Sequence, residues 1–231
     1  MVSDINFLLV GNSRLHWANY SQNQSKFFHT KKEQKVPENI DLNQLIWASV
    51  GKLPNFPLKE EKEIKTKDIQ LSNLPDYFGI DRAFACLAAL QTIKNPLKKD
   101  LLIADFGTIL SITKLNSNGS ILGGQLIPGF LTQLQSMEQN TKNLKIPKKH
   151  KIPIKDFLFN TEDAILKGIN NSLTGAINSL FNPAKDILII CGGDSQLLRK
   201  SLKTHKENII NAPNLVMEGM IIHHLSVKKL A

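Results

Sequence analysis

Short apolar runs alternate with amphipathic stretches along this chain, and this alternation predicts a mixture of strands and helices. Four apolar runs have the length of buried strands, at Phe7–Val10, Leu45–Val50, Leu101–Ala104 and Ile187–Ile190. Helical spacing of apolar residues occurs in four further stretches, which begin near Asp81, Phe130, Thr161 and Val216.

The most regular pattern extends from residue 101 to residue 129. The run Leu101–Ala104 ends in Asp105, after which Phe106-Gly107-Thr108 turns the chain into a second β-rich run, Ile109–Leu115. Asn118-Gly119 follows, and Asn-Gly between two apolar runs is a strong hairpin signal because both residues tolerate positive φ. A third β-rich run comes next. We therefore expect consecutive hairpins here.

A carboxylate at the end of a buried strand, beside a Gly-Thr turn, is suited to binding a cation or a phosphate. Gly107 lets the backbone approach a ligand closely, and Thr108 offers an N–H and a hydroxyl donor. The same arrangement occurs near the N-terminus, where Phe7–Val10 is followed by Gly11-Asn12-Ser13 and a strand-like segment from Arg14. Two such hairpins predict two similar halves that hold a nucleotide between them.

Length and composition allow two lobes of this kind. The 231 residues are 42% hydrophobic and can bury one large core or two small ones. The boundary is expected at Pro96–Asp100, which divides the chain into residues 1–97 and 98–231. No apolar run approaches the ~18 residues that would span a membrane. Cys86 and Cys191 fit neither a disulfide framework nor a metal site, and Met1–Ile5 lack the regions of a signal peptide, so we expect a cytoplasmic protein.

The charge pattern argues against a nucleic-acid partner. The net charge is +9, but the only arginines are Arg14, Arg82 and Arg199, and nucleic-acid readers usually exploit the arginine fork. The densest basic segment, 142–155, is expected to be a solvated loop, with a phosphate-facing or RNA-facing role as the alternative. Arg14 and Arg82 stand beside Gly, Asn or Asp, which indicates bidentate recognition of phosphate or carboxylate.

Six short motifs stand in order along nearly the whole chain. They are Gly11-Asn12-Ser13, Gly79-Ile80-Asp81-Arg82, Asp105-Phe106-Gly107-Thr108, Gly123-Gly124 with Pro128-Gly129, Asn160-Thr161-Glu162 and Gly192-Gly193-Asp194. In this combination the chain resembles the type III pantothenate kinases of the actin/hexokinase-like ATPase superfamily. The resemblance implies an α/β fold of two ribonuclease-H-like lobes with mixed sheets, a nucleotide cleft between the lobes, and a homodimer. It also implies transfer of the ATP γ-phosphoryl group to the hydroxyl of pantothenate, the first step towards coenzyme A.

The resemblance further implies roles for single residues. Asp81 would accept the proton of the pantothenate hydroxyl. The residues implied to bind pantothenate are Gly79, Ile80, Asp81, Arg82 and Thr161. Those implied to bind ATP are Leu9, Val10, Gly11, Asn12, Ser13, Arg14, Leu15, His16 and Thr108. Asp105 would bind a monovalent cation, K⁺ or NH₄⁺, and Mg²⁺ would enter with ATP.

Two positions depart from the family pattern. Leu9 stands where the family has an aspartate that helps to organise Mg-ATP, and Ser72 stands where a substrate-site tyrosine is usual, with Tyr77 nearby. We therefore expect Mg²⁺ to be held by the ATP phosphates and by water, because leucine offers no oxygen ligand. The loss at position 9 leaves an alternative, a non-catalytic nucleotide-binding regulatory or accessory relative. Retention of Asp81 and Asp105 favours the enzyme.

Asp81 begins a predicted helix, and an aspartate at the start of a helix can have either a catalytic or a structural role. As a catalytic base its pKa would be lowered by the helix dipole, and a weak base is sufficient for a loose phosphoryl-transfer transition state. As a structural residue it would be a plain N-cap.

Near the C-terminus, His223-His224 lacks metal-ligand spacing, and we expect one ring in the core and one in solvent.

Overall fold

Two β-sheets organise this α/β protein, which we describe from a computed structural model. The structure describes residues 4–95, 98–202 and 209–230. Contacts divide them into two units. The first takes the described residues of Met1–Lys94, Gly119–Ile121 and Asn214–Ala231, and the second those of Asn95–Asn118 and Leu122–Pro213. The expected boundary at residue 97 lies outside the described residues.

Nine strands and five α-helices are present in the described residues. The strands are β1 (Ile5–Val10), β2 (Arg14–Ser21), β3 (Gln24–Lys31), β4 (Ile46–Ser49), β5 (Asp100–Phe106), β6 (Ile109–Leu115), β7 (Ile121–Pro128), β8 (Asp186–Cys191) and β9 (Ile209–Asn211). The helices are α1 (Ile80–Thr92), α2 (Phe130–Asn140), α3 (Thr161–Leu180), α4 (Ser195–Leu198) and α5 (Leu215–Leu230). None of these helices combines the length and apolarity needed to cross a bilayer.

The sheet of the first unit has the strand order β3-β2-β1-β4. β1 is antiparallel to β2, β2 is antiparallel to β3, and β4 is parallel to β1. The C-terminal ends of β1, β3 and β4 therefore lie at the same edge of the sheet as the first residue of β2. We call this edge, with the turns that leave it, the first turn edge.

Apolar side chains cover both faces of this sheet because inward positions alternate along each strand. One face carries a buried cluster of Leu8, Val10, Leu15, Trp17, Ile40, Leu45 and Trp47. Helices α1 and α5 pack closely together. Gly219 of α5 lies so near the backbone of Phe84 on α1 that a side chain at position 219 would overlap that backbone. The ring of His224 meets that of Phe7 at 5.5 Å, and His223 is buried. His224 is partly exposed although its Nε2 atom is buried, so only His223 lies fully in the core.

The second unit repeats the plan of the first. Its sheet has the order β7-β6-β5-β8-β9, in which β5 is antiparallel to β6 and parallel to β8, and β8 is parallel to β9. The first four strands thus correspond to β3-β2-β1-β4 of the first sheet. The two hairpins recognised in the sequence each open one sheet, and the α/β fold with two mixed sheets is confirmed.

An ion pair with one buried partner crosses the second sheet. The Lys114 ammonium lies 2.9 Å from Oδ1 of Asp186 and 3.5 Å from Oδ2 of Asp100. Asp186 is fully buried, and its other oxygen accepts the Asn182 N–H at 2.8 Å. The pair stabilises the second unit because each charge is met by a partner.

Two local details refine the sequence expectations. In the turn between β6 and β7 only Gly119 has a positive φ, at 83°. At the start of α3 the N-cap is Asn160, whose side chain accepts the Asp163 N–H at 3.0 Å. Thr161, near which the sequence places the start of this helix, is the first helical residue.

Candidate active site

The first hairpin turn exposes polar side chains at the first turn edge. Gly11 follows β1, and its N–H donates to the Arg14 carbonyl at 3.0 Å, which closes the turn. Asn12, Ser13 and Arg14 are exposed. Two short polar side chains and one guanidinium are therefore presented to solvent, a donor set suited to phosphate.

The other residues of this segment shape the turn from within. Leu9, Val10 and Leu15 are buried, with Leu9 only 5% exposed. Leu9 is paired with His16 on one side and with Ala48 on the other. An apolar side chain in this position cannot coordinate Mg²⁺, so a metal at the turn would need other oxygen ligands.

His16 is neutral at ordinary pH. Burial lowers its pKa to about 4, with smaller contributions from His29 and Arg14. The two histidine rings meet edge to face across β2 and β3 at 4.8 Å. His16 also lies close beneath Gly11, since Nε2 would be 2.9 Å from a Cβ at that residue. The imidazole thus packs beneath the turn without adding charge to it.

A second turn packs onto the first at the same edge. The N–H groups of Val50 and Gly51 both donate to the Val10 carbonyl, at 3.0 and 3.2 Å. Gly51 lies directly against the Gly11 carbonyl, and a side chain at Gly51 would overlap it. The Lys32 ammonium donates to the Lys52 carbonyl at 2.9 Å. The sequence analysis missed Lys32, because only the pairing of β3 with β2 brings it to this edge.

The motif Gly79-Ile80-Asp81-Arg82 forms the start of α1. Gly79 is the N-cap and has no capping side chain, so the interpretation of Asp81 as a plain N-cap was wrong. Ile80 is buried and anchors the first turn of the helix. Oδ1 of Asp81 accepts the backbone N–H of Arg82 at 2.8 Å. The same oxygen would be 2.8 Å from a Cβ at Gly79, so glycine leaves room for the carboxylate.

The environment of Asp81 makes it a stronger base than the sequence suggested. Burial raises its pKa above the ordinary value of 3.8, and the Arg82 N–H and the Arg82 charge oppose the shift. The expectation of a lowered pKa was therefore wrong, because desolvation outweighs the donors at the helix start. The Arg82 guanidinium carbon lies over the Phe78 ring, 3.9 Å from its centre, and this cation–π contact holds the Arg82 side chain in place.

A groove of about 580 Å³ opens beside this helix start in the first unit. Its lining comes from the end of β4, from residues 63–67 and from the segment that leads into α1. Gly79 and Ile80 form part of the wall, as do Lys65 and Lys67. A small ligand in this groove would lie next to the first residues of the Gly79–Arg82 motif. The groove is also lined by Glu63 and Asp76, and Lys65 pairs with Glu63 at 3.1 Å, so its charge is mixed.

The second unit positions Asp105 and Thr108 around its own hairpin turn. Asp105 is the penultimate residue of β5, and Gly107 N–H donates to the Ile109 carbonyl at 3.3 Å. The Thr108 carbonyl accepts the Gly129 N–H at 2.9 Å and the Thr132 hydroxyl at 2.6 Å. These bonds fix the turn against the start of α2.

A glycine-rich turn after β8 lies beside the Asp105 carboxylate. Gly192 has a φ of 84° and approaches Asp105 Oδ1 and the Phe106 carbonyl so closely that a side chain would overlap both. Asp194 N–H donates to the Phe106 carbonyl at 3.1 Å. Two kinds of oxygen, a carboxylate and a main-chain carbonyl, thus face a position that only glycine can occupy. These are the donors that a hard cation prefers.

Thr161 lies elsewhere in the second unit, at the exposed start of α3. The structure thus groups Leu9–His16 at the first turn edge and Gly79–Arg82 at the start of α1. Asp105 lies beside the turn after β8, and Thr108 lies against the start of α2. Asp81 and Thr161 belong to different units.

Comparisons with known proteins identify the family of this chain. The family described as type III pantothenate kinase matches residues 57–183. The type III pantothenate kinase of Synechocystis sp. is 30% identical to this chain, over 94% of this chain and 89% of the relative. That of Bacteroides fragilis is also 30% identical, over 78% of this chain and 74% of the relative.

Among solved structures, an archaeal actin homologue in complex with ADP has a TM-score of 0.51 at 11% identity. The match covers 97% of this chain and 99% of the homologue's chain. At that identity it supports the fold alone, whereas the sequence relatives support the family. The chain belongs to the type III pantothenate kinase family.

Proposed function

We propose that this protein transfers the γ-phosphoryl group of ATP to the hydroxyl of pantothenate and forms 4′-phosphopantothenate, the first step of coenzyme A biosynthesis. The observation that carries this proposal is the partly buried Asp81 carboxylate at the start of α1. It lies between Gly79 and Arg82, inside the region that matches the family. The non-catalytic alternative is not favoured, because the relatives are named as kinases over most of the chain.

Asp81 acts in this proposal as the base that accepts the hydroxyl proton. Its raised pKa supports the role, since a stronger base takes up a proton more readily. The transition state of phosphoryl transfer is loose, so the main task of Asp81 is to position the hydroxyl. The hydrogen bond from the Arg82 N–H fixes one carboxylate oxygen and leaves the other to face the substrate.

Pantothenate is assigned to the start of α1 and to the neighbouring groove. Gly79 and Ile80 offer a wall without polar side chains, and Arg82, held over Phe78, offers a cation for the pantothenate carboxylate. Thr161 is assigned a hydroxyl contact with the same substrate on the basis of its motif. Its exposure at the start of α3 makes it accessible to a ligand.

ATP is assigned to the two hairpin turns. The segment Leu9–His16 would approach the phosphates through the turn N–H groups and the exposed Asn12, Ser13 and Arg14 side chains. Thr108 would supply a further donor from the second turn. Mg²⁺, when bound with ATP, neutralises phosphate charge and orients the γ-phosphoryl group. Because Leu9 is buried and apolar, the oxygen ligands of Mg²⁺ near this hairpin would come from ATP and water.

Asp105 is proposed to bind a monovalent cation, K⁺ or NH₄⁺. The support is the place of the Asp105 carboxylate at the end of β5, beside the Phe106 carbonyl and the Gly192 turn, since carboxylate and carbonyl oxygens are suitable cation ligands. A K⁺ ion bound by these oxygens would neutralise the carboxylate charge.

The active form is proposed to be a homodimer in the cytoplasm. Three large apolar side chains in one loop, Ile154, Phe157 and Phe159, are almost wholly exposed, and such clusters mark association surfaces. Cys86 and Cys191 are both buried, and no disulfide joins them in the described structure, as suits a reducing compartment. Light scattering of the wild type and of a Phe157→Ser/Phe159→Ser variant would test the dimer, which the variant should weaken.

The proposed reaction is tested by measuring ADP release in the presence of ATP, Mg²⁺ and K⁺. We expect release that depends on pantothenate and saturates with it. Release at the same rate without pantothenate would mean that water is the acceptor, and no release under any condition would favour the non-catalytic alternative.

A further inference from the structure

The topology of the first sheet brings a lysine to the ATP turn that no motif includes. β3 ends at Lys31, directly opposite Arg14 at the start of β2, so the residue that follows leaves the sheet at the first turn edge. Lys32 is that residue, and it is partly buried. It stands about 20 residues from the hairpin in sequence but next to it in the fold.

The Lys32 ammonium is fixed between the two turns of this edge. It donates to the Lys52 carbonyl at 2.9 Å and would lie 3.0 Å from a Cβ at Gly51. Gly51 in turn packs directly against the Gly11 carbonyl. A chain of contacts therefore runs from the ammonium to the phosphate turn without an intervening side chain.

The ammonium keeps unused donor capacity in this position. Lysine has three N–H donors, and the Lys52 carbonyl takes one of them. Among the described residues no ion pair joins Lys32 to a carboxylate. Other basic residues stand at this edge, since Arg14 is paired with Lys31 and Lys52 follows Gly51. An anion at this edge would meet a preformed cationic site.

We infer that Lys32 contacts the phosphate chain of ATP and supplies charge that holds the nucleotide at the Gly11–Gly51 turns. The inference rests on the proposed function, which assigns ATP to this hairpin. It also follows from Leu9, because a hairpin without a carboxylate has no acidic side chain to repel the phosphates or to pair with the lysine. Lys32 thus acts as a direct phosphate ligand where a protein ligand for Mg²⁺ is lacking.

The test compares ATP with adenosine, which has no phosphates, as ligands of the Lys32→Met variant. We expect the Kd and the KM for ATP to rise about tenfold or more, the usual scale of a charge-assisted hydrogen bond. The Kd for adenosine and the KM for pantothenate should stay within about twofold of the wild type. Lys32→Arg should recover most of the ATP affinity. Lys26→Met is the matched control, since Lys26 is exposed at the other end of the same strand.

Each outcome separates the ligand role from a structural role. Equal weakening of ATP and adenosine would mean that Lys32 only supports the Lys52 turn, and an unchanged Kd for ATP would mean that it does not touch the phosphates. Either result overturns the inference while wild-type turnover with pantothenate upholds the proposed function. If Lys32→Met lowers Tm, Lys32→Gln keeps a donor for the Lys52 carbonyl without the charge, and the same comparison applies to it.

Discussion

Oδ1 of Asp81 accepts the backbone N–H of the next residue, Arg82, at 2.8 Å, yet burial still raises the pKa of this carboxyl. Two opposing effects therefore act on one side chain. Desolvation favours the neutral acid, whereas the N–H and the guanidinium favour the carboxylate. Desolvation is the larger effect, and the resulting carboxylate is both well oriented and more basic than an exposed aspartate.

The pH dependence of turnover should reflect this shift. The base must be ionised to accept a proton, so kcat/KM for pantothenate falls as pH drops through the Asp81 pKa of the free enzyme. Because burial raises that pKa above 3.8, the acid limb of the kcat/KM profile should have its midpoint above 3.8. The profile is measured at saturating ATP and low pantothenate. A midpoint at or below 3.8 would contradict the assignment of the base.

Replacing Leu9 by aspartate should destabilise the protein rather than create a metal site. Leu9 is 5% exposed on the central strand of the first sheet, so the new carboxylate would be buried without a cation. We expect the free energy of unfolding to fall by at least about 2 kcal/mol in urea titrations. Leu9→Met should cost less than about 1.5 kcal/mol. Unchanged stability with tighter Mg-ATP binding would show that the strand end admits water and metal.

The monovalent cation assigned to Asp105 should be visible in the rate. Turnover should be fast in K⁺ or NH₄⁺ and poor in Na⁺, and Asp105→Ala should remove the difference between the salts. Asp156→Ala, at an exposed carboxylate of the same unit, serves as the control. Equal wild-type rates in matched Na⁺ and K⁺ buffers would rule out the site.

Breaking the Lys114–Asp186 pair should weaken the second unit. Lys114→Met leaves Asp186 fully buried with its Asn182 N–H but without a cation, which should cost about 3 kcal/mol of unfolding free energy. The double variant Lys114→Met/Asp186→Asn should recover much of this loss, because no unpaired charge is then buried. Lys185→Met, at an exposed lysine next to Asp186, is the control. A double variant no more stable than the single one would mean that the pair contributes packing rather than charge compensation.

The sequence predicts the parts of this fold that depend on local chemistry. Asn118-Gly119 marks the β6–β7 turn because glycine adopts the positive φ that the turn needs. Alternating or continuous apolar runs locate β1, β4, β5 and β8 within one or two residues at each end. The three-residue β9 was missed, since so short a strand leaves no periodic pattern.

The features that escaped prediction depend on contacts between distant segments. The raised pKa of Asp81 follows from its burial, and the helix start alone suggests the opposite shift. Lys32 reaches the phosphate turn only through the pairing of β3 with β2. The His224 Nε2 atom is buried although the residue is partly exposed, because the ring meets Phe7 of β1, and the spacing of residues along one helix does not show this contact.

The most direct test of the account is the conversion of pantothenate to phosphopantothenate, followed by mass spectrometry, in the wild type and in Asp81→Asn. Asp4→Asn, at an exposed carboxylate before β1, is the control. We predict a phosphorylated product from the wild type and from Asp4→Asn. Asp81→Asn should lose at least about 100-fold in kcat with little change in either KM. A wild type that leaves pantothenate unmodified, or an Asp81→Asn variant that turns over at the wild-type rate, would contradict the account.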